Sequence, residues 1–397
     1  MQTSIKITKN EFAQRAEKLL SVIQKEKLNG VILFDNYYIL YFCGFTFIPT
    51  ERPMAFLMNT KGEKGLFVPR LEVEHAETNA SVNRVSSYIE YPYDPHPMVL
   101  FKDFLEEMGM KNTIGSDQDG YPWILGYRGP SLSEILNESP KIITSIIEDQ
   151  MMIKSKAEVD LIRESVKWGH LAHTLLQRYT KVNLTETEVS TRASMDANLT
   201  MLDTIGPIYK AQSAFSRGAS AGYRGQIGRN SAIPHALANN ITFQPGDVLV
   251  TGAGAPVWGY HSELERTMII GPATKEQKQL FDHMVNLQDT AFKAMQPGLP
   301  CAIVDQATRD YYEKYKLNKY WKHHTGHAIG LRYHEAPFLD IGDNTIMQPG
   351  MVFTVEPGLY HPGLGGFRHS DTVMITDDGI EILTYYPRDL ESLTIPI

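Results

Sequence analysis

The sequence has few cysteines, no excess of basic charge and no long apolar run. Its two cysteines, Cys43 and Cys301, lie far apart, so no disulfide framework is expected and a reducing cytoplasm fits. Lys and Arg number 38 against 46 Asp and Glu, and a net charge of −8 does not suggest a nucleic-acid partner. No apolar stretch is long enough to span a membrane, and residues 1–20 lack the apolar core of a secretory signal. We therefore expect a cytoplasmic protein that binds neither nucleic acid nor membrane.

The length and patterning of the chain predict two domains. A chain of 397 residues is too long for one ordinary core. Up to about residue 145, helical and strand patterns alternate, which is typical of an α/β domain. Ser155 and Glu158 then match the S-x-x-E capping box ahead of a long amphipathic helix. We predict an α/β domain over residues 1–148 and an α+β domain over residues 149–397.

Residues 246–267, GDVLVTGAGAPVWGYHSELERT, form the stretch around which the second domain is organised. The pattern predicts a β-hairpin: an apolar run, a Gly/Pro-rich connection and an alternating run. In the second strand, Glu263 and Glu265 share one face and lie about 7 Å apart. Two such carboxylates on a core-facing strand need a cation between them, which is a metal, an Arg or a cationic substrate. The alternative is a solvated strand face.

Four stretches in fixed order resemble the motifs of the pita-bread superfamily: residues 246–267, HHTGHAIGLRYHEAP (323–337), GMVFTVEPGLY (350–360) and GGFRHSDTVMIT (365–376). That superfamily contains methionine aminopeptidase, Xaa-Pro aminopeptidase, prolidase and creatinase. The resemblance covers essentially the whole chain. It implies an α/β N-terminal domain of the creatinase/prolidase type, an α+β pita-bread catalytic domain and a homodimer.

The resemblance also implies where metal ligands lie. The family's peptidases hold two metal ions with two Asp, one His and two Glu, and these positions fall on Gly252, Glu263, His327, Glu356 and Ser370. Two of the five ligands are therefore missing, so a two-metal site is not expected. Glu263, His327 and Glu356 remain, and they either hold one divalent ion or are polar relics with no metal. Thr251, His369 and Asp371 are expected to face the other side of their strands.

The departures from the peptidase pattern resemble creatinase. Leu264-Glu265-Arg266-Thr267 matches a creatinase segment, and Glu265 and Glu356 fall on the pair that clasps the substrate guanidinium. Arg52 falls on an Arg that reaches the substrate carboxylate of the neighbouring subunit. His235, in a Pro-His motif, is the candidate proton shuttle, because histidine exchanges a proton most readily near neutral pH.

The remaining site predictions follow the same motifs. His334 matches a second His of the peptidases, which contacts the substrate. Creatinase lacks this His, so at this position the sequence resembles the peptidases more than creatinase. The predicted catalytic residues are thus His235, Glu265, His334 and Glu356. The predicted substrate-binding residues are Arg52, Tyr260, Glu263 and His327.

Three functions compete on this sequence. The first is a creatinase-like C–N hydrolase that acts on a small substrate with a cation and a carboxylate, without a two-metal centre. The second is an Xaa-Pro dipeptidase or aminopeptidase with a single metal at Glu263, His327 and Glu356. The third is an inactive binding homologue, and a lyase acting on a small zwitterion is a further variant.

Overall fold

The computed structural model describes residues 5–214, 216 and 218–397. The chain forms two compact units, Ile7–Met151 and Met152–Ile397. The predicted boundary at residue 148 lies close to the observed one. Cys43 and Cys301 are free and buried. Among the described residues, no helix combines the length and the apolar character needed to cross a bilayer.

The first unit contains one six-stranded sheet surrounded by helices. Its helices are α1 (Lys9–Lys25), α2 (Asn36–Cys43), α3 (Val73–Asn79), α4 (Pro97–Glu107), α5 (Leu132–Leu136) and α6 (Thr144–Met152). Its strands are β1 (Gly30–Leu33), β2 (Ala55–Asn59), β3 (Lys64–Pro69), β4 (Arg84–Tyr88), β5 (Ile114–Ser116) and β6 (Lys141–Ile142). The strand order is β4-β3-β2-β1-β5-β6, and only β2 runs antiparallel to its neighbours. The α/β prediction for this part of the chain is confirmed.

The second unit contains four long helices and most of the strands. Its helices are α7 (Lys156–Tyr179), α8 (Glu186–Ile205), α9 (Lys275–Ala294) and α10 (Ala302–Lys314). Its first strands are β7 (Ser220–Gly222), β8 (Val248–Val250), β9 (Gly252–Gly254), β10 (Leu264–Glu265), β11 (Thr267–Ile270), β12 (Gly326–Ala328) and β13 (Glu335–Leu339). Its last strands are β14 (Val352–Val355), β15 (Gly358–His361), β16 (Gly365–Arg368), β17 (Ser370–Ile375), β18 (Ile380–Ile382) and β19 (Thr394–Ile395).

The main sheet of this unit has the strand order β13-β12-β14-β17-β10-β9-β7, with β18 beside β17. The predicted hairpin is present, but it divides between two sheets. Strands β9 and β10 pair in the main sheet, while β8 and β11 pair in a three-stranded sheet with β19. The α+β prediction is confirmed, and the capping box forms at Ser155 and Glu158 as expected.

One predicted strand is wrong. The apolar pattern over residues 207–214 predicts a strand, but Gly206–Ile208 forms a 3-10 turn and no strand follows before Ser220 in the described residues. Pro207 has no N–H to give to a ladder, which favours the turn.

Candidate metal and substrate site

A pocket of about 460 Å³ opens in the second unit, beside strands β7, β9 and β10. Glu263 and Glu265 both line it, as their spacing of two along a strand predicts. Leu264, between them, is buried. The remaining lining residues are Ser220, Ala221, Gly222, Arg224, Gly252, Ala253, Gly254, Tyr333 and His334.

Neighbouring strands bring together acids and a histidine that are far apart in the chain. His327 lies on β12, Glu356 directly follows β14, and Glu263 directly precedes β10. These strands, with β17 between β14 and β10, are consecutive in the sheet. One ligand atom from each of the three side chains lies within 4.8 Å of the others.

His327 carries the clearest sign of a metal position. Its Nδ1 lies 3.0 Å from the carbonyl oxygen of Ala328, to which it donates a hydrogen bond. Its Nε2 is buried and lies 3.2 Å from Oε1 of Glu356. Nε2 makes no other contact with a polar atom that qualifies as a hydrogen bond among the described residues, so it faces the Glu356 carboxylate alone. A buried imidazole with one nitrogen donating to the backbone and the other facing a carboxylate fits a metal ligand.

The acids around His327 are electrostatically crowded. Burial, and then repulsion from Glu356 and Glu265, raises the pKa of Glu263 to about 8. Burial alone would lower the pKa of His327, but the Glu356 and Glu263 carboxylates outweigh it and raise that pKa to about 9. Burial would likewise raise the pKa of Glu356, but contact with His327 and the charge of Arg368 hold it well below its usual range. A cation bound among these groups would relieve this crowding.

The two missing ligand positions are not replaced from nearby. Ser370 Oγ donates to Glu263 Oε1 at 2.7 Å, so it orients the Glu263 carboxylate. Thr251 Oγ1 contacts His173 Nε2 at 2.7 Å, and Asp371 accepts a hydrogen bond from Arg266 at 2.7 Å. His369 is fully buried beside the backbone of Thr267.

The cation between Glu265 and Glu356 is Arg368, at the end of β16. Its guanidinium binds Glu265 through two contacts of 2.5 and 2.8 Å, and its Nε lies 3.6 Å from Glu356. Tyr360 accepts a third hydrogen bond from Arg368 at 3.0 Å. The sequence predicted a cation between Glu263 and Glu265, and Arg368 of the GGFRHSD stretch meets that need for Glu265 alone. The sequence analysis did not predict that Arg368 pairs with Glu265, although Arg368 lies within the GGFRHSDTVMIT motif.

His334 stacks on His327 with ring centroids 3.8 Å apart and planes 16° from parallel. Burial, and then the charge of His327, lowers the pKa of His334 to about 4, so its imidazole is neutral at pH 7. His235 is exposed in a turn, and its predicted role as a proton shuttle stays a prediction. Of the predicted histidines, His334 lines the pocket and stacks on His327.

Two predicted substrate contacts have other partners. Tyr260 is buried, and its hydroxyl donates to Glu158 at 2.7 Å, while its predicted substrate contact stays a prediction. Arg52, in the first unit, binds Glu90 through contacts of 2.6 and 3.1 Å and Glu51 at 2.8 Å. Its predicted contact with a substrate carboxylate stays a prediction.

Comparison with known proteins assigns both units to the family that the sequence motifs resemble. Residues 160–377 match metallopeptidase family M24, and residues 15–150 match the creatinase/prolidase N-terminal domain. An Xaa-Pro dipeptidase of Pyrococcus furiosus is 28% identical over 385 residues, which cover 95% of this chain and 99% of that protein.

Solved structures share the fold over nearly the full length. The Xaa-Pro dipeptidase from Bacillus anthracis has a TM-score of 0.80 and 24% identity, covering 97% of this chain and 100% of that one. The prolidase from Pyrococcus horikoshii OT3 has a TM-score of 0.79 and 25% identity, covering 95% and 99%. With a family match over more than half of its residues, the chain belongs to metallopeptidase family M24, a family of C–N hydrolases.

Proposed function

We propose that this protein is an Xaa-Pro dipeptidase that works with one divalent metal ion held by Glu263, His327 and Glu356. The observation that carries the proposal is the buried Nε2 of His327, which faces Glu356 at 3.2 Å and is grouped with the Glu263 and Glu356 carboxylates within 4.8 Å. One His with two carboxylates suits a hard or borderline ion such as Mn²⁺ or Zn²⁺. Gly252 has no side chain and Ser370 donates to Glu263, so neither supports a second ion.

The substrate class is supported by the relatives and by the occupancy of Glu265. The similar proteins are named as Xaa-Pro dipeptidases and prolidases. A creatinase-like site would need Glu265 and Glu356 to receive a substrate guanidinium. Here the guanidinium of Arg368 already binds Glu265 and lies beside Glu356. Arg224 also contacts this carboxylate at 3.3 Å, so two guanidiniums of the protein already bind Glu265 and leave no place there for the guanidinium of a substrate.

A bound divalent ion would act as a Lewis acid on the scissile carbonyl. Around it, neutral His334 can donate a hydrogen bond to the substrate, because the ring reaches the pocket and stays unprotonated at pH 7. His235, exposed in a turn, is the proposed donor of a proton to the leaving nitrogen. Glu265 fixes Arg368 and takes no part in proton transfer.

The test combines metal content with substrate choice. The full chain is purified without metal-affinity chromatography, and its metal is counted by mass spectrometry. Hydrolysis of Ala-Pro is then compared with hydrolysis of creatine. We expect about one divalent ion per chain and release of proline. The variant His327→Gln should lose both the ion and the activity, whereas His361→Gln, a histidine outside the pocket, should keep both.

Several outcomes contradict the proposal. Cleavage of creatine by metal-free protein would restore the creatinase-like function. A bound ion with no turnover of any Xaa-Pro dipeptide would indicate an inactive homologue. A product without incorporated solvent oxygen would indicate a lyase.

A further inference from the structure

We propose that Arg224 binds the free C-terminal carboxylate of the substrate and thereby selects dipeptides over longer or amidated peptides. This inference rests on the proposed function. It gives the carboxylate-binding role to a residue of the same unit as the metal ligands.

Arg224 lies in the pocket with its side chain half exposed. It lines the same cavity as Glu263 and Glu265, and 52% of its side chain is accessible. Its Nη2 contacts Oε1 of Glu265 and Oε1 of Gln226, each at 3.3 Å. These contacts are longer than those of a tight guanidinium pair. Much of the guanidinium therefore faces the cavity.

The charges around Arg224 leave it without a carboxylate of its own. Glu265 already forms two shorter hydrogen bonds with Arg368, so Arg224 is the second guanidinium on one acid. Three carboxylates in the site, those of Glu263, Glu265 and Glu356, face two guanidiniums. With a divalent ion bound, this set carries one net positive charge. An anionic substrate group balances it.

The backbone holds Arg224 at a conformational cost. Its φ is +51°, in the left-handed region, and Gly225 follows with φ +76°. The buried carboxylate of Glu186, at the start of α8, accepts a hydrogen bond from the Gly225 N–H at 2.6 Å. The same carboxylate accepts a hydrogen bond from the N–H of Asn239. A strained residue whose side chain packs into no core, held by a buried acid, is typical of a functional position.

The pocket holds both ends of a dipeptide. Arg224, Glu263 and Glu265 line one cavity of about 460 Å³. In a dipeptide, the scissile carbonyl and the terminal carboxylate are one residue apart, about 3.5 Å. A substrate whose carbonyl lies beside Glu263 therefore presents its carboxylate within the cavity that Arg224 lines.

The experiment compares Ala-Pro with Ala-Pro-amide, which lacks the carboxylate charge. Steady-state kinetics are measured on metal-loaded full-length protein for the wild type, Arg224→Gln and Arg224→Lys. Arg229→Gln, an exposed arginine of the same loop that does not line the pocket, is the matched control. The Gln and Lys variants keep the backbone strain of Arg224, and thermal unfolding verifies that each variant folds.

We expect Arg224→Gln to raise KM for Ala-Pro about 10- to 100-fold with little change in kcat. KM for Ala-Pro-amide should hardly change, Arg224→Lys should fall between, and Arg229→Gln should match the wild type. An unchanged preference for Ala-Pro over its amide in Arg224→Gln would overturn the assignment while the proposed function stands. A wild type that cleaves neither substrate would overturn both. If Arg224→Gln does not fold, Arg224→Lys is the deciding variant. A preference for Ala-Pro over Ala-Pro-amide that equals the wild-type preference in Arg224→Lys would then contradict the proposed contact between the Arg224 guanidinium and the carboxylate.

Discussion

Glu265 lines the pocket and forms a buried ion pair with Arg368. Its place beside Glu263 suggested a ligand for a cationic substrate, but its carboxylate is 4% exposed and paired with the equally buried Arg368. The Cβ of any side chain at Gly252 would lie 3.7 Å from Oε1 of Glu265. The Glu265 carboxylate therefore borders the space that a side chain at residue 252 would enter. We infer that the pair of Glu265 and Arg368 stabilises this side of the pocket.

Removing the charge of Glu265 should destabilise the protein strongly. In Glu265→Gln the buried Arg368 loses its paired charge, which costs about 3 kcal/mol of unfolding free energy. The matched control is Glu381→Gln, which breaks an exposed pair with Arg163 and should cost less than about 1 kcal/mol. Urea unfolding followed by circular dichroism measures both. Equal losses in the two variants would show that burial does not govern the strength of these pairs.

At the scale of secondary-structure elements, close contact between β12 and β14 sets the position of His327. Gly326 precedes His327, and a Cβ built on Gly326 would lie 2.1 Å from the carbonyl oxygen of Thr354 on β14. Only glycine allows the strands to approach this closely. The Thr354 hydroxyl in turn accepts a hydrogen bond from the His327 N–H at 3.2 Å.

Gly326→Ala should therefore disturb the metal position through the sheet. The added methyl group must push β12 away from β14, at a cost of about 3 kcal/mol, and His327 moves with its strand. We expect the variant to have a lower unfolding temperature and a weaker affinity for the metal ion. Calorimetry measures both quantities. Gly206→Ala is the control, because its Cβ would have a nearest neighbour at 3.9 Å and its φ is −48°. Metal affinity that is unchanged in folded Gly326→Ala would separate the strand contact from the ligand position.

In the first unit, Asp117 links the end of β1 to the start of α2 and makes stability pH-dependent. Its carboxylate accepts hydrogen bonds from the N–H groups of Phe34 and Asp35. Burial outweighs these bonds and raises its pKa from 3.8 to about 6. The folded state therefore holds this proton more tightly than the unfolded state does. The contribution of Asp117 is largest below pH 3.8 and is lost as the pH rises to about 6.

The pH dependence can be isolated with Asp117→Asn, which has no proton to lose. Between pH 4 and 6, the difference in unfolding free energy between wild type and variant should shift against the wild type by up to about 3 kcal/mol. Differential scanning calorimetry of the full chain at several pH values measures this difference. A difference that stays constant with pH would mean that Asp117 titrates normally in the folded protein.

For the whole molecule, the family resemblance predicts a homodimer. Light scattering coupled to size exclusion should give twice the mass of one chain at micromolar concentration. The mass of a single chain, unchanged on concentration, would exclude a stable dimer. A dimer would also make a test of Arg52 meaningful, because its predicted contact involves the neighbouring subunit. Arg52→Ala should then affect Ala-Pro hydrolysis independently of Arg224→Gln.

The sequence by itself determined the two-domain architecture and the central hairpin, because strand alternation and turn signals are local properties that can be read without coordinates. The group of Glu263, His327 and Glu356 followed from the resemblance of the motifs to the family. Only the tertiary structure decided that Arg368 neutralises Glu265, that Tyr260 is buried against Glu158, and that Arg224 faces the pocket. These contacts join residues 41 to 103 positions apart. Strand order and packing decide which charged side chains meet across such distances in the chain. The periodicity of the sequence does not predict these pairs.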